Sequence, residues 1–307
     1  MDTAPIVVGV DGSAPSIDAV RWGTREALLR KTPLVLLSCA PRRGTEAVPR
    51  IGEELSARAE RALADARVAT EEQDPGGAVE IRTEVSEQDA SAALIARSDT
   101  ARMVVLGRRG LGEFVDGLAG SVSSAVAQHA HCPVVVIDGA SQVDSGTGPV
   151  VVGVDGSVNS AAAVALAFEE CTLRNAELVA LHAWSDQDLS SLPLDTSEED
   201  RRAAAVAENA LLAESLAGWQ EMYPDVTVRR IVVRDRPVRH LLEQADEAHA
   251  QSIIVGSRGR GGFEGMTLGS TSAALLHIAP CPLIIVRTEA TGRTERDGSP
   301  PIHHHGR

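Results

Sequence analysis

Two glycine-rich stretches with the same spacing constrain the fold of this chain more than any other feature. GRRGLGEFVDGLAGS runs from Gly107 to Ser121, and GSRGRGGFEGMTLGS runs from Gly256 to Ser270. The two stretches are offset by 149 positions, both at their first glycine and at the glycine before the final serine. Each follows a short apolar run and precedes small residues typical of a helix. Two copies in register predict a duplicated strand–loop–helix unit.

The beginning of the chain is repeated as well. PIVVGVDGS starts at Pro5 and PVVVGVDGS at Pro149, an offset of 144. The second copy therefore carries five extra residues, which we expect in the polar segment 186–200. A repeat of this length predicts two whole domains, 1–140 and 148–288, joined by a flexible linker over 139–148. The polar tail 289–307 is predicted to be disordered.

Apolar and amphipathic segments alternate within each copy. The first copy predicts strands at Ile6–Val10, Leu34–Cys39, Val79–Val85, Met103–Leu106 and Val134–Ile137, and helices at Ser16–Arg30, Gly52–Gln73, Ala90–Arg97 and after the glycine loop as far as Ala130. The second copy predicts strands at Val150–Val154, Leu178–His182, Val226–Val232, Ile253–Val255 and Leu283–Val286. This order predicts an α/β fold of two Rossmann-like domains, each a five-stranded parallel sheet with helices on both faces. The apolar runs predict strands buried on both sides.

Composition narrows the class of protein. The net charge is −14 and the isoelectric point is near 5.1, which argues against nucleic acid or anionic membrane as a partner. No apolar run approaches the roughly 18 residues that span a bilayer, and the first residues do not resemble a signal peptide, so we expect a cytoplasmic protein. The four cysteines lack metal-site spacing, and we expect small buried residues.

The glycine loops and the carboxylates after the first strands indicate where a ligand binds. Glycines allow close backbone approach, and a following helix N-terminus presents unpaired N–H groups to an anion such as phosphate. Asp11 and Asp155 have two interpretations, a ligand contact to ribose or Mg²⁺ and a turn or helix-cap residue. The loop arginines are either phosphate clamps or solvated side chains: Arg108, Arg109, Arg258 and Arg260.

GVDGS after the first strand, followed by G-x2-G-x9-G-S before the last helix, resembles the ATP-binding branch of the universal stress protein family. Both halves of the chain match the pattern. The resemblance implies two adenine nucleotide alpha hydrolase-like domains that pair through their last strands and bind ATP, with Mg²⁺. It places Gly9, Asp11, Gly153, Asp155 and Asp186 on the nucleoside side. On the phosphate side it places Gly107, Arg108, Arg109, Gly110, Leu111, Gly112, Glu113, Gly120, Ser121 and Val122, together with Gly256, Ser257, Arg258, Gly259, Arg260, Gly261, Gly262, Gly269, Ser270, Thr271 and Ser272.

The resemblance favours a stress-response regulatory protein in which bound ATP acts as a signal for conformation, assembly or partner binding. The alternatives are a slow ATPase or an ATP-dependent group-transfer enzyme and, as a weaker interpretation, a flavin or other nucleotide carrier. No lysine-containing phosphate loop, dinucleotide fingerprint or histidine shared by the copies is present, and no catalytic residue is predicted. Glu113 aligns with Gly262, so the two sites are not identical. We expect a homo-oligomer and a protein partner that the sequence does not identify.

Overall fold

The computed structural model describes residues 4–41, 49–110, 119–139, 147–184, 198–260 and 267–288. The first domain contains β1 (Ile6–Gly9), α1 (Ala14–Arg30), β2 (Leu34–Cys39), α2 (Pro49–Gln73), β3 (Ile81–Ser86), α3 (Ala90–Ser98), β4 (Met103–Gly107), α4 (Ser121–His129) and β5 (Val134–Ile137). The second contains β6 (Val150–Gly153), α5 (Val158–Arg174), β7 (Leu178–Trp184), α6 (Glu198–Met222), β8 (Val228–Arg234), α7 (Pro237–Glu247), β9 (Ser252–Gly256), α8 (Ser270–Ile278) and β10 (Leu283–Val286). The predicted alternation of strands and helices is confirmed.

The ten strands of the described residues form one continuous sheet in the order β3-β2-β1-β4-β5-β10-β9-β6-β7-β8. Pairing is parallel within each domain, and the first and fourth strands of each domain are neighbours. The domains meet where β5 and β10 pair antiparallel, with Val135 opposite Ile284. This confirms the predicted pairing through the last strands, which leaves neither of these strands as an open sheet edge.

Alternate residues of the strands pack against opposite helix layers. Ile6 and Val8 of β1 pack in the layer that contains residues of α1, α2, α5 and α6, whereas Val7 packs in the layer formed by α3, α4, α7 and α8. The central strands are therefore buried on both faces. The prediction that every strand is buried on both faces is wrong for β3 and β8. These two strands lie at the ends of the sheet and expose several side chains.

The extra residues of the second domain lie between its second strand and the end of its long helix. From the start of β2 to the end of α2 is 39 positions, whereas from the start of β7 to the end of α6 is 44. From the end of the long helix to the start of the fourth strand is 30 positions in both domains. The five extra residues therefore fall in the stretch that contains the predicted segment 186–200, of which residues 186–197 lie outside the described residues. None of the described helices is long and apolar enough to span a membrane.

Candidate functional site

Two cavities open at the carboxyl ends of the central strands, one in each domain. Cavity 1, about 490 Å³, lies where β1, β2 and β4 end, and cavity 2, about 580 Å³, lies at the corresponding ends of β6, β7 and β9. Both volumes fall in the range of roughly 300–1,000 Å³ that small-molecule sites occupy. This edge of a parallel sheet, beside the first strand, is where ligands of open α/β folds bind.

The aspartates after the first strands are held in equivalent turns. Asp11 Oδ1 accepts hydrogen bonds from Ser13 N at 2.9 Å and Ser13 Oγ at 2.6 Å. Asp155 Oδ1 accepts one from Ser157 N at 2.9 Å. The side chains that cap α1 and α5 belong to Ser13 and Ser157, not to the aspartates. The aspartates therefore combine a turn role with a position in the cavity wall.

The aspartate carboxylate lies against the second glycine of each loop. A Cβ at Gly110 would stand 2.4 Å from Asp11 Oδ2, and a Cβ at Gly259 would stand 2.2 Å from Asp155 Oδ2. Both distances are shorter than real Cβ contacts, so a side chain at either position would displace the aspartate carboxylate. In the second domain the backbone N–H of Arg260 also donates to Asp155 Oδ2, at 3.0 Å.

A backbone hydrogen bond closes each glycine loop at its base. Gly120 N donates to Arg108 O at 2.8 Å, and Gly269 N donates to Ser257 O at 2.7 Å. The helices α4 and α8 begin directly afterwards, and their N-cap glycines provide no side-chain hydrogen bond. The first turn of each helix thus borders its cavity with backbone N–H groups that no capping side chain satisfies.

Arg108 departs from its predicted role as a phosphate clamp. Arg108 borders cavity 1, but its buried guanidinium contacts Asp138 Oδ2 at 2.5 Å and the carbonyl oxygens of His277, at 3.1 Å, and Ala279. Burial lowers the pKa of Arg108, partly offset by Asp138. The guanidinium therefore serves the contact between the domains, and that geometry does not agree with a clamp.

The remaining sequence-predicted residues divide into three groups. The residues that line the cavities are Gly9, Asp11, Gly107, Arg109, Gly110, Gly120, Ser121 and Val122 in cavity 1, and Gly153, Asp155, Gly256, Arg258, Gly259, Arg260, Gly269, Ser270, Thr271 and Ser272 in cavity 2. Ser257 is fully buried beside cavity 2 and does not line it. Leu111, Gly112, Glu113, Asp186, Gly261 and Gly262 lie outside the described residues.

Sequence reasoning missed the wall opposite the glycine loops. In cavity 1 this wall includes Ser38, Cys39 and Arg58. In cavity 2 it includes His182, Trp184 and Glu208. The ends of β2 and β7 could have been included, because the second strand adjoins the first in this topology. The residues of α2 and α6 carried no signal, since any polar residue of a long amphipathic helix is more often simply solvated.

Cys39 is the one cysteine of the described residues that borders either of these two cavities. Burial, with a smaller contribution from Asp89, raises the pKa of its thiol to about 11. Burial likewise raises the pKa of Cys132, Cys171 and Cys281 to about 12. All four remain thiols near neutral pH, which does not suit a nucleophile.

The sequence profile of the universal stress protein family matches residues 3–138 and 147–287, one match for each domain. The chain belongs to the universal stress protein family. A universal stress protein of Mycobacterium tuberculosis is 40% identical over 294 residues, which cover 93% of this chain and 97% of that protein. Another from Mycobacterium bovis is 41% identical over 293 residues, covering 92% of this chain and 96% of that protein.

A solved structure shares the two-domain arrangement of this universal stress protein. The crystal structure of a universal stress protein from Archaeoglobus fulgidus superposes with a TM-score of 0.69, covering 94% of this chain and 99% of that one. Its sequence identity is 20%, so the likeness concerns the fold alone. The prediction of a tandem universal stress protein with Rossmann-like domains is thereby confirmed.

Proposed function

We propose that this universal stress protein binds one ATP in each cavity and uses the bound nucleotide as a regulatory signal. Occupancy would bias a conformational or assembly equilibrium by as much as the ligand's affinity differs between the two states. Binding to a partner protein would be the output. The duplication of the loop, the aspartate and the cavity supports two sites of the same general kind.

The observation that carries the proposal is the glycine at the N-cap of α4. Gly120 has φ −64° and ψ 155°, a conformation open to any residue, and a Cβ there would lie an ordinary 3.4 Å from Arg108 O. The protein itself therefore does not require glycine at this position. Serine or aspartate would cap the helix better than glycine, by about a few tenths of a kcal/mol. A glycine that leaves these N–H groups unsatisfied at a cavity wall suits the close approach of an anion.

The proposal includes a Mg²⁺ ion bound mainly by the phosphates of ATP. Among the described residues no group of three or more histidine, cysteine, aspartate or glutamate side chains could hold a metal ion. Mg²⁺ usually binds through one or two carboxylates together with the substrate's phosphates and water. Asp11 and Asp155 fit that requirement, because each places a carboxylate at the cavity wall. A cytoplasmic location and a homo-oligomer are also part of the proposal.

Calorimetric counting of ATP tests the proposal. The wild type should bind two ATP per chain, and Gly120→Glu and Gly269→Glu should each bind one, because the new side chain fills the phosphate end with bulk and like charge. Gly76→Glu is the matched control, since a Cβ at Gly76 has only Asp74 Oδ1 within 4 Å, at 3.9 Å, and the residue lies in neither cavity. Two ATP per chain in both loop variants would overturn the assignment.

A further inference from the structure

The two cavities differ at the wall opposite their glycine loops. Position 38 at the end of β2 is serine, and its equivalent in the repeat, 144 positions later, is His182. The long helices also differ, because α2 presents Arg58 to cavity 1 whereas α6 presents Glu208 to cavity 2. One chain thus contains two sites of the same architecture whose far walls carry groups of opposite charge.

His182 and Glu208 form a hydrogen-bonded pair in cavity 2. His182 is buried, its Nδ1 lies 2.7 Å from Val154 O, and its Nε2 lies 2.8 Å from Glu208 Oε2. Glu208 is about 20% exposed at its side chain and lines the cavity. The imidazole therefore connects the end of β6 to the carboxylate on α6.

The donors and acceptors of this pair are set by chemistry. A backbone carbonyl only accepts, so Nδ1 of His182 carries a proton and donates to Val154 O. A further proton lies between Nε2 and Glu208 Oε2, because two lone pairs would otherwise face each other. Oε2 is thereby engaged and the carboxylate is fixed in position. Among the described residues, His182 is the only hydrogen-bond or ion-pair partner of Glu208, so Oε1 is left to accept from a molecule in the cavity.

We propose that Glu208, positioned by His182, accepts a hydrogen bond from the nucleoside part of the ligand in cavity 2, and that the described residues of cavity 1 provide no equivalent. The inference rests on the proposed nucleotide binding and adds a difference between the sites. The donor on the ligand is a ribose hydroxyl or the amino group of the base, since both present a proton to a carboxylate. Cavity 1 offers the hydroxyl of Ser38 and the guanidinium of Arg58 at the corresponding wall, so its preference among nucleosides differs.

Three nucleotides separate the two donors. Gly120→Glu isolates cavity 2 and Gly269→Glu isolates cavity 1, and each variant is titrated with ATP, 2′-deoxy-ATP and inosine triphosphate. The first analogue lacks a ribose hydroxyl and the second lacks the amino group. In cavity 2, one analogue should bind roughly tenfold to hundredfold more weakly than ATP, as expected for loss of a hydrogen bond to a charged group. In cavity 1 the same analogue should lose less than about threefold.

Two substitutions test whether Glu208 and His182 cause the discrimination between ATP and its analogues. In the Gly120→Glu background, Glu208→Ala should bind ATP and the discriminated analogue with equal affinity. His182→Ser, which introduces the residue that cavity 1 carries at this position, should reduce the ratio of affinities by releasing the carboxylate. Glu214→Ala, an exposed residue of the same helix outside the cavity, should keep the wild-type ratio. A merely structural role for His182 would change stability without changing this ratio.

The outcomes separate the inference from the proposed function. Equal relative affinities for the three nucleotides in both cavities would overturn the inference while leaving ATP binding intact. If the Glu208→Ala variant still discriminates between the nucleotides, the inference is also overturned and ATP binding is left intact. Failure of the wild type and both isolated cavities to bind ATP would overturn the proposed function and this inference together.

Discussion

Arg108 and Arg287 reach in opposite directions across the β5–β10 junction and perform the same task. Arg108 donates to the carbonyl oxygens of His277 and Ala279 at the end of α8, and Arg287 donates to the carbonyl oxygen of Gln128 at the end of α4. The last carbonyl groups of a helix lack intrahelical partners, and a cation there is favourable. Each domain thus caps the final helix of the other.

The two arginines are not equivalent positions of the repeat. At an offset of 149, Arg108 corresponds to Ser257, and Arg287 corresponds to Asp138. The two domains therefore make similar helix-capping contacts with arginines from non-equivalent positions. Aligning the two copies of the sequence does not reveal this similarity. From the sequence, Arg108 was expected to contact phosphates because it lies in a glycine loop. Its contact with the other domain becomes visible only in the structure.

We predict that Arg108→Ala lowers the free energy of unfolding by about 2–3 kcal/mol, because it removes a buried cation from a carboxylate and two carbonyl oxygens. Urea denaturation measures the change. Arg82→Ala is the control, since Arg82 pairs with Glu80 at 2.7 Å with both side chains more than half exposed and should contribute no more than about 1 kcal/mol. Equal effects of the two substitutions would contradict a structural role for the interdomain contact.

A second interdomain contact is a cluster of charges between α1 and α5. Arg30 of α1 contacts Glu26, Glu169 and Glu170, and Arg174 of α5 contacts Glu26 at 2.5 Å and Glu170 at 2.6 Å. Burial lowers the pKa of Arg30, but these carboxylates outweigh it, so the net direction is upward. Burial, reinforced by the neighbouring Glu26, raises the pKa of Glu170 to about 7.

The raised pKa of Glu170 predicts a specific pH dependence. Between its ordinary value near 4.5 and about 7, the folded chain holds this proton and the unfolded chain does not. The contribution to stability is therefore fully present below about pH 4.5 and is lost as the pH rises through 7. Urea unfolding across pH 5–8 should show a flatter profile for Glu170→Gln than for the wild type. Parallel profiles would contradict the prediction, and Glu214→Gln serves as an exposed control.

The sequence predicted the fold well because its signals were local and duplicated. The apolar runs of the central strands and the glycine loops each determine the local secondary structure. The second copy repeats the same signals. Contacts that depend on the approach of distant segments were not predictable, such as the position of Glu208 on α6 beside His182. Asp11 both accepts hydrogen bonds in its turn and lines cavity 1. The sequence could not show that it does both, because either role alone is compatible with the same GVDGS sequence.

Gly110 and Asp11 are predicted to act as one unit. Gly110→Ala should weaken ATP binding in cavity 1 about as much as Asp11→Ala, because the new methyl group displaces the carboxylate from its turn. In the Asp11→Ala background, Gly110→Ala should add little, as expected for residues in direct contact. Calorimetry in the Gly269→Glu background measures the four affinities of this cycle. Gly76→Ala is the control, and additive effects of the two substitutions would exclude coupling.

Finally, we predict that bound ATP is turned over slowly or not at all. Fast phosphoryl transfer requires cations around the γ-phosphate and a residue that positions the attacking group. No lysine lines either cavity among the described residues, and the Arg108 guanidinium is engaged at the domain contact. Asp155 accepts hydrogen bonds from Ser157 N and Arg260 N through its two oxygens, and the pair in cavity 2 lies at the wall opposite the glycine loop.

Arg109, Arg258 and Arg260 line the cavities and can supply cations, but a site without a residue that positions the attacking group gains little rate. Single-turnover hydrolysis with excess protein and Mg²⁺ should therefore be far slower than the roughly 1–100 s⁻¹ of kinases. Glu113, which lies outside the described residues and has glycine as its equivalent in the second copy, is the carboxylate to test in the first loop. Turnover at kinase-like rates that Glu113→Gln abolishes would make cavity 1 an enzyme active site. Gly269→Glu, which leaves cavity 1 intact, would then retain that activity while Gly120→Glu loses it.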